Sequence, residues 1–285
     1  MQAAHCYTYP VFRNDLKKPK LNHFALSGHL QAPLALPALY NIAVPFPAYD
    51  QGQIGSCVAN ATAAAYRIQE TPPLQTPSRM FIYTAGKERE GYLSGSGMML
   101  DDGLECLQLL GVCPETVWPY NIAKETTKPS PAAYTSARSS KIKGWGEVAH
   151  TLNSVKRMLL NNVPILIGIL VYDSFESNTV TQTGLVPMPN KVSEGVLGGH
   201  CLCIVGYDDS KAAVLVLNSW GSNWGAAHPQ TGQRGYCWLP YSYLMDGTLC
   251  DEFLYSTGPL APPPPPPRPQ PQPKPKPLPP MKKRK

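Results

Sequence analysis

The stretch of this chain that decides its fold and its chemistry is Asp50-Gln51-Gly52-Gln53-Ile54-Gly55-Ser56-Cys57-Val58-Ala59-Asn60-Ala61. A glycine-containing loop here runs into an alanine-rich, helix-forming segment, and Cys57 lies at the junction. Free backbone N–H groups and the helix macrodipole favour negative charge at a helix N-terminus, which biases a cysteine there towards its thiolate. A thiolate is a nucleophile, so catalysis would follow if the chain also supplies a base and an oxyanion stabiliser.

The candidate base is a histidine in the segment Gly198-Gly199-His200-Cys201-Leu202-Cys203-Ile204-Val205-Gly206-Tyr207. Histidine exchanges protons near neutral pH, and the two glycines before it let a substrate backbone approach closely. A candidate orienting group follows in Leu217-Asn218-Ser219-Trp220-Gly221-Ser222-Asn223-Trp224-Gly225. The amide oxygen of Asn218 is able to accept from the imidazole N–H and fix the ring, and an indole beside that bond excludes water.

The distribution of secondary structure along the chain indicates an α+β fold with two lobes and a cleft between them. Apolar residues at helical spacing predict helices over 57–69, 78–85, 101–110 and 152–161. Short apolar runs rich in β-branched residues predict strands over 165–171, 200–207, 214–218 and 235–239. The first half is therefore mainly helical and the second half mainly β.

The C-terminal tail accounts for the basic character of the chain. Of the 285 residues, 259–285 hold 14 of the 32 prolines, seven of the 25 Lys and Arg residues, and no acidic residue. Without this tail the chain carries 18 basic and 19 acidic residues, so the formal charge of +6 belongs to the tail. The nearly neutral remainder argues against nucleic-acid binding by the folded part, which is long enough to bury a sizeable core.

The tail itself has three interpretations. Six consecutive prolines followed by alternating Pro and Lys or Gln form polyproline II, which cannot build a core and which serves as a stiff spacer. The same segment is suited to an aromatic-lined groove on a partner protein that recognises proline-rich motifs. The final Lys282-Lys283-Arg284-Lys285 is typical of a nuclear-localisation signal or a patch with affinity for nucleic acid.

Targeting signals and cysteine usage bear on the setting of the protein. The N-terminus lacks a basic region followed by an apolar run, which indicates no signal peptide, and the longest apolar stretch, 163–172, is too short to span a bilayer. We expect no membrane partner and a cytoplasmic or virion-associated protein, with nuclear targeting through the basic tail as an alternative. The eight cysteines fit no zinc spacing, so we expect no metal or cofactor, and buried thiols in a reducing compartment rather than surface disulfides.

The order of these motifs resembles the papain/cathepsin family of cysteine peptidases. The resemblance rests on Gln-Gly-x-x-Gly-Ser-Cys, a Gly-His that enters an apolar strand ending Val-Gly-Tyr, and Asn-Ser-Trp-Gly-x-x-Trp-Gly followed by Gly-Tyr. The segment 111–120, which ends in Pro-Tyr, is a further match. The likeness covers roughly residues 36–257 and is greatest to the compact versions found in bacteria and large DNA viruses.

The resemblance implies a role for each site residue and a two-lobed fold with a helical lobe and an antiparallel, β-barrel-like lobe. It assigns Cys57 as the nucleophile, paired as a thiolate with the imidazolium of His200, and Asn218 as the group that orients His200. The Gln51 side chain and the Cys57 backbone N–H would form the oxyanion hole, and Trp220 would shield the bond between His200 and Asn218. Three glycines would lie against the substrate backbone, namely Gly95, Gly97 and Gly199.

Two departures from the family pattern have consequences. Ile54 stands where family members carry a disulfide cysteine, which fits a chain made in a reducing compartment. Only about fifty residues precede the Cys57 motif in this sequence, so we expect no long propeptide of the kind that secreted members carry. We therefore divide the chain into an N-terminal arm at 1–35, which we hypothesise to inhibit the enzyme, a peptidase domain at 36–257 and a disordered, basic, proline-rich tail at 258–285.

The sequence leaves more than one function open. The favoured interpretation is a peptidase that hydrolyses polypeptides without a cofactor. The same fold can be kept after activity is lost, so the alternative is a catalytically silent binding or virion structural protein that uses the cleft and the tail. A third interpretation is a transferase or isopeptidase that uses the thiol on another acyl substrate.

Overall fold

The computed structural model describes residues 35–70 and 75–259 of the chain. The expectations for most of the N-terminal arm and for the proline-rich tail therefore fall outside the described residues. Seven α-helices lie in the described part: α1 Cys57–Gln69, α2 Arg79–Arg89, α3 Leu100–Leu109, α4 Pro131–Ala137, α5 Leu152–Leu160, α6 Asn178–Thr183 and α7 Tyr241–Met245. Short 3-10 turns lie at Ile122–Lys124 and Asp173–Glu176.

Helix α1 is the central helix of the fold. Its first ten residues, from Cys57 to Tyr66, are all buried, which is unusual because most helices keep one polar face in water. Five alanines among them carry no side chain beyond Cβ, so neighbouring elements approach from every direction. Helix α3 crosses α1 closely at Gly103. A Cβ added there would lie 2.7 Å from the Thr62 hydroxyl and 3.0 Å from a Val58 methyl group.

Among the residues that the structure describes, eight strands form one antiparallel sheet. They are β1 Leu39–Asn41, β2 Trp145–Glu147, β3 Ile165–Tyr172, β4 Val196–Asp208, β5 Ala213–Leu217, β6 Ala226–Ala227, β7 Arg234–Pro240 and β8 Cys250–Ser256. The order across the sheet is β2-β8-β3-β4-β5-β7-β6, and β1 pairs with the far end of β4. Among the described residues this path is open, so the sheet is not closed into the barrel-like form that we expected.

Strand β4 is the longest strand and connects the two halves of the molecule. It pairs with β3 on one side, where Ile169 is opposite His200, and with β5 on the other. Helix α1 packs against β4. The pairing with β5 places Cys203 opposite Leu217, so the chain that leaves β5 at Asn218 passes close to the start of β4's apolar run.

The sequence interpretation is confirmed for the fold class and for the main elements. The four predicted helices and four predicted strands are all present, with ends that differ by up to four residues. The sequence reasoning missed β8, although this strand lies inside the sheet between β2 and β3. In the described part of the chain, no helix is long and apolar enough to cross a membrane.

Candidate active site

Two loops from distant parts of the chain meet to build the site. The backbone N–H of Gln51 donates to the carbonyl of Ser219 at 2.9 Å, and that of Gly221 donates to the carbonyl of Tyr49 at 2.8 Å. Gly221 adopts a left-handed conformation with φ of 74°, which a side chain would disfavour. These bonds fix the loop before α1 against the loop after β5.

The side-chain amide of Gln51 is held at both ends. Its Oε1 accepts from the Ser219 hydroxyl at 2.6 Å, and its Nε2 donates to the Ile54 carbonyl at 3.0 Å. An amide nitrogen carries two hydrogens, so a second N–H remains for a ligand. Gln51 is 1 % exposed, and these two bonds prevent the amide from rotating away. The part of Ser219 in fixing Gln51 is a contact that the sequence reasoning missed.

Cys57 is the first residue of α1 and is fully buried. The residue before it, Ser56, does not cap the helix with its side chain. The hydroxyl of Tyr120 donates to the Gln51 carbonyl at 2.8 Å, so the 2.6 Å bond between Tyr120 and Ser56 has the Ser56 hydroxyl as donor. Tyr120, noted in the sequence only as the end of a motif, thus braces the loop that carries both Gln51 and Cys57.

Arg79 also supports the loop that carries Gln51 and Cys57. Its Nη1 donates to the Asp50 carbonyl and to Asn60 Oδ1, each at 3.1 Å, and its guanidinium lies 4.0 Å from the centre of the Tyr120 ring. Glu115 accepts from Arg79 Nε at 2.6 Å. Nothing in the sequence pattern pointed to this support, because its members come from three separate segments.

Burial is the main influence on the thiol of Cys57. It raises the pKa of Cys57 from its ordinary value to about 11, because a thiolate loses the solvation of water. Backbone N–H groups of Cys201, Val58 and Cys57 itself act in the opposite direction and favour the thiolate. The involvement of Cys201 places the sulfur beside the backbone of the residue that follows His200.

His200 lies in β4, is 2 % exposed and is hydrogen-bonded to Asn218. The distance from His200 Nε2 to Asn218 Oδ1 is 2.8 Å. Because an amide oxygen only accepts, Nε2 carries the proton, and Nδ1 is the nitrogen with a lone pair in the neutral ring. Asn218 Oδ1 also accepts from the Ser219 backbone N–H at 2.7 Å, which sets the direction of the amide.

The pKa of His200 is lowered to about 4, chiefly because burial disfavours the imidazolium, while the bond to Asn218 acts in the opposite direction. Burial thus favours the neutral form of the ring over the imidazolium. A neutral imidazole is the form that accepts a proton from a thiol.

Aromatic rings enclose the bond between His200 and Asn218. The Trp220 ring stacks on His200 with centroids 5.1 Å apart. Phe175 and Trp224 pack on Trp220 at 5.5 and 5.0 Å, and Phe175 also lies edge-on to His200 at 6.5 Å. All of these rings are buried, which keeps water from the imidazole. The contribution of Phe175 was not predicted, because this residue lies in the turn after β3, far along the chain from His200 and Trp220.

The three glycines predicted to lie against the substrate occupy different positions. Gly95 is exposed and lies on the surface loop before α3. Gly97 is buried, with φ of 74°, and its N–H donates to the Tyr83 hydroxyl at 3.3 Å. Gly199 is buried in β4 opposite Leu170. Substrate contact by these glycines stays a prediction, and Gly95 is the one with an open position.

The remaining cysteines of the described part are structural thiols. Cys106, Cys113, Cys201, Cys203, Cys237 and Cys250 are all buried and free of disulfides. Among residues 35–70 and 75–259, no group of three or more His, Cys, Asp and Glu side chains is placed to hold a metal ion.

Comparison with known proteins identifies the family. The model for the papain family of cysteine proteases matches residues 43–238. An uncharacterised peptidase C1-like protein of Acanthamoeba polyphaga mimivirus is 36% identical over 217 residues, which cover 72% of this chain and 67% of the viral protein. Cysteine proteinase EP-B 1 of Hordeum vulgare is 25% identical over 226 residues, and the match spans 55% of its length.

Solved structures agree with the sequence comparisons. Xylellain, a cysteine protease from Xylella fastidiosa, superposes with a TM-score of 0.74 at 32% identity, covering 89% of this chain and 96% of xylellain. A Carica candamarcensis cysteine protease solved with E-64 shares the fold at 19% identity, with a TM-score of 0.56 over 78% of this chain and 99% of the plant enzyme. Because the family model spans well over half of the chain and a bacterial protease shares nearly its whole fold, this chain belongs to the papain family of cysteine proteases.

Proposed function

We propose that the chain hydrolyses peptide bonds with Cys57 as nucleophile, His200 as general base and acid, and Asn218 as the group that orients His200. The Gln51 amide and the Cys57 backbone N–H form the oxyanion hole, and Trp220 shields the imidazole from water. The observation that carries the proposal is the 2.8 Å bond from His200 Nε2 to Asn218 Oδ1, with the Cys57 sulfur beside the next backbone N–H of β4.

The reaction divides into two halves with the same groups. The thiol proton passes to His200 Nδ1 while sulfur attacks the carbonyl carbon, and the carbonyl oxygen takes up the electron pair. The second N–H of Gln51 and the N–H of Cys57 stabilise this oxyanion. His200 then protonates the departing amine, which leaves a thioester on Cys57. Water, deprotonated by His200, attacks the thioester and releases the acid.

Charges in this site are stable only as a pair. Burial raises the pKa of Cys57 to about 11 and lowers the pKa of His200 to about 4, so neither group carries a lone charge near neutral pH. Moving the proton from sulfur to nitrogen creates a thiolate and an imidazolium in contact, where opposite charges attract strongly in low dielectric. The thiolate is thus formed where the substrate carbonyl binds.

An electrophilic probe tests the assignment of the nucleophile. We expect an epoxide that alkylates active-site thiols to label the native full-length protein once, at Cys57, as mapped by mass spectrometry of peptides. Cys106, which is also fully buried and whose thiol pKa burial raises to about 12, serves as the matched comparison and should stay unmodified. Modification of Cys106 or another core cysteine in place of Cys57 would overturn the assignment.

The pH dependence of hydrolysis tests the electrostatics. Since His200 must be unprotonated to accept the thiol proton and burial lowers its pKa to about 4, activity should be retained at pH 5 to 6 and fall as the pH drops through about 4. The midpoint belongs to the coupled pair of His200 and Cys57 rather than to one residue. The measurement is kcat/KM for a neutral peptide against pH, and an acidic midpoint at the ordinary histidine value of about 6.5 would contradict a buried base.

A further inference from the structure

A cavity of about 200 Å³ lies next to the loop that carries the oxyanion donor and the nucleophile. It is lined by Gln53, Ile54, Gly55, Ser94, Gly95, Ser96, Glu125 and Thr126. Its walls meet closely, because a Cβ added to Gly55 would lie 3.0 Å from the Gly97 nitrogen. The cavity is therefore formed by three loops of the helical half and includes no residue of the β-sheet.

The proposed reaction sets which part of a substrate reaches this cavity. The departing amine must lie beside His200 on β4, so the acyl half of the substrate extends away from β4. The attacked carbonyl oxygen points to Gln51, and the side chain of the same residue branches from the adjacent carbon. Gln53, Ile54 and Gly55 connect Gln51 to Cys57 and line the cavity, so in the proposed reaction the cavity lies on the side from which that side chain branches.

Glu125 gives the cavity its charge. It is the only ionisable side chain among the lining residues of the described chain, and it is partly exposed to solvent. Within the described residues, no salt bridge holds its carboxylate. The other lining groups are glycines, hydroxyls, an amide and Ile54, which neither compete for a cation nor attract an anion.

Lys87 is a buried side chain that interacts with Glu125 through its charge but forms no salt bridge with it. Its side chain is fully buried, and Nζ lies 4.1 Å from the centre of the Tyr83 ring with no hydrogen-bond partner in the described part of the chain. Burial lowers the pKa of Lys87 to about 8, and the charge of Glu125 opposes that shift. Lys87 does not line the cavity, so the carboxylate keeps its accepting oxygens for a ligand.

We propose that Glu125 selects substrates that carry Arg or Lys at the residue whose carbonyl is attacked. The proposal rests on the proposed function and adds its substrate class. A cationic head entering the cavity meets a carboxylate that forms no salt bridge with the described residues, and a charge-assisted hydrogen bond to it is stronger than a bond between neutral groups. Specificity then follows from an interaction that a neutral side chain of the same shape lacks.

Peptides that differ at one position provide the test. Four fluorogenic peptides carry Arg, Lys, citrulline or Glu before the scissile bond, and citrulline has the shape of Arg without its charge. For the full-length wild type we expect kcat/KM for Arg to exceed that for citrulline by about tenfold or more, with Glu poorest. Glu125→Gln should reduce the ratio of Arg to citrulline to near one, chiefly by lowering kcat/KM for the Arg peptide.

Controls separate the outcomes. Glu147→Gln removes a carboxylate on the exposed face of β2, outside the cavity, and should keep the wild-type preference. Equal wild-type rates for Arg and citrulline would overturn the role of Glu125 while leaving the peptidase intact. Loss of both substrates in Glu125→Gln would show a structural role and overturn it as well. Absence of hydrolysis together with absence of epoxide labelling would instead overturn the proposed function.

Discussion

Replacing Cys57 with alanine is expected to reduce peptide hydrolysis by roughly 10⁶-fold, to the detection limit, while the protein remains folded. Removal of the nucleophile from a hydrolase that works through a covalent intermediate costs about this much, because no thioester forms and only substrate binding and the oxyanion hole still contribute. The side chain is small and fully buried, so the change removes one sulfur from the end of α1. Initial rates on a fluorogenic peptide and a thermal melt measure the two properties.

The matched control is Cys106→Ala. Cys106 is another fully buried thiol, in α3, and its truncation should lower stability slightly without changing kcat/KM. His200→Ala and the double variant with Cys57→Ala should each be as inactive as the single cysteine variant, since the two residues act as one unit. Residual turnover above about 1% in Cys57→Ala would point to another nucleophile.

The backbone of this site was predictable from sequence because its signals are local. A glycine loop before an alanine-rich run places Cys57 at a helix start, and the observed α1 begins at that residue. Glycines followed by β-branched and apolar residues predict the strand that holds His200, and β4 contains it. The antiparallel sheet of the β half agrees with the expected fold, and among the described residues it is open between β2 and β6, an outcome that depends on pairing between strand edges and that no local pattern encodes.

The supports of the site were not predictable, because they are contacts between segments far apart in the chain. The Ser219 hydroxyl fixes Gln51 across the junction of the two halves, and Tyr120 fixes the same loop from another side. Phe175 joins the aromatic enclosure from a turn with no motif of its own. The effect of burial on Cys57 was likewise not readable from the sequence: burial raises the pKa of the thiol, while backbone N–H groups at the helix start act in the opposite direction.

Replacing Gln51 with alanine is expected to lower kcat by about 10² to 10³-fold with little change in KM, the loss typical of one oxyanion-hole donor. The amide is held by Ser219 and Ile54, so its remaining N–H is positioned before the substrate binds. Such a donor contributes most when charge develops on the carbonyl oxygen in the transition state. Its removal should therefore lower kcat rather than raise KM. Steady-state kinetics on a peptide that saturates the enzyme separates kcat from KM.

Two further variants test whether Gln51 acts through its N–H. Gln51→Glu keeps the size of the side chain but replaces donors by a carboxylate that repels an oxyanion, so it should be at least as inactive as Gln51→Ala. Ser219→Ala keeps the amide and removes only the hydroxyl that fixes its oxygen at 2.6 Å, so it should cost about tenfold. If Gln51→Glu retained wild-type kcat, the oxyanion would have to be stabilised by the Cys57 N–H and some other donor, and the part assigned to Gln51 would be wrong.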